Sequence, residues 1–321
     1  MKQYDVVALG ELLIDFTGNG TSTQGNPIFE ANPGGAPCNV LAMLQRLGDK
    51  TAFIGKVGND FFGRQLKDAL EEVGIDASAL KMDDEVHTTL ALVQTFADGD
   101  RDFSFYRNPG ADMMLTADEV PEDMIRSTGI FHFGTLSMTH EGVREATMKA
   151  LRIAKEAKVT ISFDPNLRPP LWKSLDDARV QVLAGMEYCD VLKISDNEIQ
   201  WLTGEVNFDA GVAWIKERFP NITLILVSLG RDGSRAYYKD QIIEVPAFIQ
   251  ENTIETTGAG DTFCGSVLHY VGAHGLENLT VEGIREMLTF ANAAASLITT
   301  RKGALRVMPT REEVEQLAKQ A

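Results

Sequence analysis

The run Glu255-Thr256-Thr257-Gly258-Ala259-Gly260-Asp261 leads straight into a helical pattern from Thr262 to Gly272. Small residues at Gly258, Ala259 and Gly260 let the backbone N–H groups of a helix's first turn approach an anion closely, and the helix dipole favours negative charge there. Such a turn is an anion hole. A carboxylate beside it, at Asp261, could take the proton of a hydroxyl as that oxygen attacks the γ-phosphoryl group of a nucleotide. The plainer reading of the same residues is a glycine-rich turn that opens a helix with an acidic first turn. The loop has neither the Gly-Lys-Ser/Thr ending of a P-loop nor the GxGxxG of a dinucleotide site.

These residues need a scaffold, and the chain supplies an alternating one. Residues 5–9, 51–57, 130–133, 159–163, 190–194 and 223–228 are short β-type runs separated by amphipathic stretches. That alternation predicts a mostly parallel sheet covered by helices on both faces. Val40, Leu41, Met43, Leu44 and Leu47 predict a helix from Pro37 that stops at Gly48, and similar helices are expected at about 61–73, 141–157, 261–273 and 281–298. Two segments fall outside this layering: 12–33, rich in Gly and Asn, and 87–107, with two strand-like stretches around Asp98-Gly99. They predict a small projecting β-sheet, inserted in one domain spanning 1–321. An exposed apolar face on such a flap is costly, so it should close over a ligand or pack on a second copy as a homodimer.

Composition narrows the function. With 44% hydrophobic residues in 321, the chain can bury a large core. Thirty basic against 46 acidic residues give a formal charge of −16, which repels nucleic acid and anionic membranes. A phosphate-handling site in such a chain has to draw on backbone dipoles, a few cations and a metal, for which Mg²⁺ is expected. Cys38, Cys189 and Cys264 show no CxxC pairing and read as buried thiols of a reducing compartment. No signal-like stretch follows Met1 and no run of 18 apolar residues occurs, so the cytoplasm is the expected location. The five histidines lack zinc-ligand spacing. Phe61 and Phe62 are expected to be packing groups.

Several segments then fall in the order of a known family. Glu255–Gly265 resembles the DTxGAGD signature of the ribokinase-like (PfkB-type) carbohydrate kinases, and Asn32-Pro33-Gly34-Gly35-Ala36-Pro37-Cys38-Asn39 resembles their GGxxxN signature. Within that family Phe105–Asp112 is similar to the FYRNPSAD segment of fructokinases, and Phe163–Trp172 to their DPNLRxPLW. The resemblance implies a three-layer α/β sandwich with a β-sheet lid, and ATP-dependent transfer of a phosphoryl group to a sugar hydroxyl, fructose first. A 2-keto-3-deoxygluconate kinase, another small-sugar kinase, and a non-catalytic sugar- or nucleotide-binding regulator on the same fold are the alternatives.

The resemblance also implies roles. Asp261 is the base and Gly258, Ala259 and Gly260 the anion hole. Asp15, Gly34, Gly35 and Asn39 line the sugar pocket, where carboxylate and amide groups match hydroxyls and glycines admit the ring. Arg107 and Arg168 clamp an anion with forked donors, or else make surface salt bridges among the many carboxylates. Asp112 beside them favours a neutral sugar. ATP is expected against Lys193, Ser228, Gly230, Gly233, Gly258, Gly260 and Asn292, with Glu198 supporting the metal indirectly. Glu255 stands where the family usually has Asp, at a position that contributes to a K⁺ site in related kinases.

Overall fold

The structure is a computed structural model that describes residues 2–95 and 101–320. The Asp98-Gly99 turn lies outside the described residues. In chain order the strands are β1 (Tyr4–Leu9), β2 (Leu13–Thr21), β3 (Pro27–Gly34), β4 (Thr51–Gly58), β5 (Leu80–Asp83), β6 (Leu90–Thr95), β7 (Arg101–Tyr106), β8 (Thr128–Gly134), β9 (Thr160–Asp164), β10 (Val191–Ser195), β11 (Leu224–Ser228), β12 (Ser234–Tyr238) and β13 (Gln241–Val245). The helices are α1 (Ala36–Leu47), α2 (Phe61–Glu72), α3 (Glu122–Arg126), α4 (Glu141–Glu156), α5 (Leu175–Met186), α6 (Asp196–Thr203), α7 (Phe208–Arg218), α8 (Ala259–His274), α9 (Val281–Ile298) and α10 (Arg311–Ala318).

Successive side chains of a strand face opposite ways, so a strand that is apolar throughout must be covered on both sides. In β1, Val6 and Ala8 join α1, α8 and α9 in one core, whereas Val7 and Leu9 join α4, α5 and α7 in the other. The same split occurs in β11, with Leu224 and Leu226 against Ile225 and Val227. The result is three layers around a nine-stranded sheet in the order β13-β12-β11-β10-β9-β8-β1-β4-β5. Pairing is parallel from β5 to β11, and the β12–β13 hairpin closes one edge antiparallel.

A second sheet, β3-β2-β6-β7, takes its strands from the two segments set apart in the sequence. Its β2 and β6 run parallel, and β2–β3 and β6–β7 pair antiparallel. Leu13 pairs with Gly34 and Asp15 with Asn32, so this sheet begins right after β1 and returns into α1. It is thus held at the carboxyl end of the main sheet, where open parallel sheets bind ligands. Phe61 departs from expectation: it is 69% exposed, touching Phe62 edge-on, while Phe62 packs on Phe16 of β2.

Candidate functional site

α8 begins at Gly258, which adopts φ 76 as its N-cap and has no side chain to cap with. A Cβ there would stand 2.7 Å from that of Ala304, so both backbone and space select glycine. The Ala259 N–H donates to Thr256 O, and the helix's geometry leaves the next N–H groups, of Gly260 and Asp261, without helical acceptors. They border a cleft of about 320 Å³ between the main sheet and the small one. Its size is in the range of small-molecule sites, roughly 300–1,000 Å³. Lys193, in the middle of β10, brings its ammonium to within 3.2 Å of where a Cβ on Gly260 would stand. An anion at the α8 terminus therefore meets backbone donors and a cation together.

On the opposite wall α1 presents Asn39. Its Nδ2 donates to Asp261 Oδ2 at 2.8 Å, across 222 positions of sequence. Asn39 is 4% exposed and, among the described residues, its Oδ1 has no hydrogen-bond partner. Asp15 comes from β2, Arg168 from the segment after β9, and Phe105 and Leu13 add apolar surface from the small sheet. Arg168 is braced by its own segment, donating to Asn166 Oδ1 at 2.7 Å. Hydroxyl partners, an apolar wall and a carboxylate thus face one another across the cleft.

Burial raises the Asp261 carboxyl, while the Asn39 hydrogen bond and the charges of Lys193 and Arg168 draw it back toward the ionised form a base needs. Asp15 is pushed up to about 7 by removal from water, with Arg168 opposing. Asp164, at the end of β9, is raised to about 6 by burial despite its 2.9 Å pair with Lys193. Burial acts to lower Lys193, but Asp164 and Glu198 outweigh it and hold the ammonium charged.

These shifts predict a pH response of the ligand-free protein. Asp15, and Glu11 at about 7, bind protons more tightly folded than unfolded, so both destabilise the fold as pH rises through 4 to 7. Buried His132, lowered to about 3, works the other way below about 6.5. The expected result is a Tm that rises on going from about pH 8 to about 6.5 and goes on rising more shallowly just below it, because two carboxyls outweigh one imidazole; differential scanning calorimetry checks it, and a Tm that falls from about pH 8 to about 6.5 contradicts it.

Several expected site residues lie elsewhere. Arg107 is buried away from the cleft, its guanidinium donating to Asp112 Oδ2, Thr139 Oγ1 at 2.8 Å and Leu136 O at 2.9 Å. It makes neither a clamp nor a surface bridge: it fixes the loop that carries cleft residue Leu136. Asp112 is paired with it and accepts a hydrogen bond from Thr89. Gly34 makes room for the Asp15 carboxylate, since a Cβ there would stand 2.4 Å from Asp15 Oδ2. Glu198 uses Oε1 on the Leu167 N–H and Oε2 on Ser195, joining α6 to the segment after β9.

Ser228, Gly230, Gly233 and Asn292 also stand outside the cleft lining. Asn292 donates to Val245 O and Pro246 O, and a Cβ on Gly233 would lie 2.2 Å from Val245 O. Gly230, at φ 56 with open space around it, turns the chain from β11 toward β12. Together they shape the exit of the β12–β13 hairpin. Conversely, Glu11, Asn166 and Phe105 line the cleft without having been singled out. Their signal was positional: Glu11 and Asn166 follow the carboxyl ends of β1 and β9.

The pfkB family carbohydrate kinases match this sequence over residues 3–311. It is 42% identical to a probable fructokinase-2 of Arabidopsis thaliana, over 95% of this chain and 93% of that one. It is also 42% identical to fructokinase-1 of Zea mays, over 98% of each. Among solved structures, the fructokinase of Xylella fastidiosa with bound ATP superposes with a TM-score of 0.88 at 30% identity, covering 98% of both chains. The Vibrio cholerae fructokinase bound to fructose, ADP and calcium gives 0.88 at 29% identity, over 98% of this chain and 99% of that one. The chain belongs to the pfkB family of carbohydrate kinases.

Proposed function

We infer that this protein is an ATP-dependent fructokinase. The contact that carries the reading is Asn39 on Asp261, which joins a hydroxyl-binding wall to a carboxylate at the mouth of a backbone anion site. In this reading the N–H groups of Gly260 and Asp261 and the Lys193 ammonium receive the transferring phosphoryl group. Asp261 takes the proton of the sugar hydroxyl, and Asp15 and Asn39 hold the ring in line. The cleft also argues for a neutral sugar. With Arg107 withdrawn, Arg168 is left facing Glu11, Asp15 and Asp261, a poor setting for a second carboxylate on the substrate.

The nucleotide is assigned to the side of α8 toward β10 and β11, with the adenine toward Ser228 and Asn292. Mg²⁺ suits the chemistry: entering with the nucleotide, it would offset phosphate charge, and Glu198, which lies near Lys193, would hold it indirectly through water. Glu255 already has Oε1 on the Gly303 N–H at 2.7 Å, so K⁺ is given no step. The whole chain is read as one kinase unit with the small sheet as its lid. Three buried free cysteines suit the cytoplasm, and among the described residues no helix is long and apolar enough to cross a membrane.

ADP release with MgATP and a panel of D-fructose, D-ribose, tagatose, adenosine and 2-keto-3-deoxygluconate tests the function. Preference for fructose supports it. Turnover of the acidic sugar alone reassigns Arg168 to a carboxylate, and silence on all of them favours a binding protein.

Pairing of two lids is proposed as the oligomeric form. Ile28 and Phe29 on edge strand β3, Tyr106 on edge strand β7 and Phe61 of α2 are 43 to 69% exposed, a set of large apolar groups that water disfavours. Sedimentation is expected to give twice the 35.2 kDa chain mass. A monomer at micromolar concentration would refute the pairing.

A further inference from the structure

Among the described residues lining the cleft, Glu11 is the acidic side chain given no part in the transfer itself. It follows β1, is 4% exposed, and lines both the cleft and a smaller hollow of about 10 Å³ behind it. Its Oε1 accepts the N–H of Ala36, the first residue of α1, at 2.9 Å. That helix has no cap of its own: its N-cap is Gly35, its first turn has no acidic residue, and Pro37 contributes no N–H. Gly35 is at φ 126 and a Cβ on it would stand 2.4 Å from Glu11 O, so the two chain segments are in direct backbone contact. One turn further along α1 stands Asn39, which bonds Asp261.

We propose that Glu11 is the positioning residue of the base: by capping α1 from the connection between β1 and β2, it sets where Asn39 meets Asp261. The inference rests on the kinase reading, in which Asp261 must be ionised and correctly aimed. A carboxylate is a strong acceptor for the N–H at a helix start, and at this position it also lies against the positive end of the α1 dipole. Burial nonetheless raises Glu11 to about 7. The groups facing it are Arg107 and Asp112 from the β7 side, Cys38 of α1, His132 of β8, Asp164 of β9 and Asp261 of α8. Among these, Arg107 is the cation that favours its ionised form.

The test is a double-mutant cycle with a spectroscopic readout. Glu11→Ala is expected to lower kcat by about 10- to 100-fold, as a displaced base would, with KM for ATP within about two-fold. Glu11→Gln keeps an acceptor oxygen and should recover most of that loss, which also controls for folding. In an Asn39→Ala background the further effect of Glu11→Ala should shrink to within about three-fold, because the route through Asn39 is already cut. Carbon-13 NMR of the Asp261 carboxyl, which needs no turnover, should show its titration moving upward in Glu11→Ala as the Asn39 bond weakens. An unmoved titration, full additivity in the cycle, or a Gln variant as impaired as Ala would each overturn the proposal. Wild-type silence with every sugar would instead overturn the kinase reading, and the NMR titration would still decide the coupling.

Discussion

Asp261→Asn is expected to lower kcat by about 10²- to 10⁴-fold while nucleotide binding stays within a few-fold of wild type. The substitution is nearly isosteric, and an amide oxygen can still accept the Asn39 Nδ2 hydrogen now held by Asp261 Oδ2 at 2.8 Å. What disappears is the basic oxygen. The anion site survives, since it is made of backbone N–H groups and Lys193. Steady-state kinetics with isothermal titration of ADP separates the two effects, and a kcat within about three-fold of wild type would remove Asp261 as base. In the wild type, activity should fall as pH drops through the pKa of this residue. Burial places that limb above the ordinary carboxylate range, and the Asn39 hydrogen bond and the charges of Lys193 and Arg168 limit how far.

Lys193→Met is expected to cost about 3–5 kcal/mol of stability at pH 8 and to raise KM for ATP by about 10- to 100-fold. Lys193 and Asp164 have side chains 9% and 4% exposed and are paired at 2.9 Å. Removing the ammonium leaves a buried carboxylate that must go unpaired or take up a proton. Since the folded-state pKa of Asp164 is already raised to about 6, losing its partner raises it further, and the destabilisation should shrink as pH falls toward 5. Denaturant titration at the two pH values checks this, and an equal loss at both would show that the pair is not electrostatic in origin. The kinetic effect has a separate cause, because the same ammonium stands beside Gly260 at the anion site.

Much of the scaffold was legible because its strands are short and continuously apolar. The six expected strand runs coincide with β1, β4, β8, β9, β10 and β11 to within two residues at each end, and α1, α2, α4, α8 and α9 follow the expected helical periods. Other elements were hidden by weak patterning. Leu175 and Val180 of α5 are 44% and 60% exposed, so apolar residues on its solvent side blur the stripe that would mark a buried face. The β12–β13 hairpin turns at Lys239, at φ 52, without the Asn-Gly or Asp-Gly signal that normally advertises such a turn.

By itself the sequence determined which chemistry was on offer: an anion-binding helix start at Gly258 to Gly260, a carboxylate at Asp261, and a second signature ending in Asn39. Those are local properties of backbone and side-chain type, readable wherever they occur. Only the tertiary structure decided which groups could act together. It laid Asn39 on Asp261, turned Arg107 inward onto Asp112, used one oxygen of Glu198 to tie α6 to the segment after β9 and the other on its own N-cap Ser195, and brought Glu11 to the start of α1. The reason is physical. A hydrogen bond or ion pair depends on contact within a few ångströms, and contact between residues tens to hundreds apart is set by how sheet and helices pack, which no local pattern encodes.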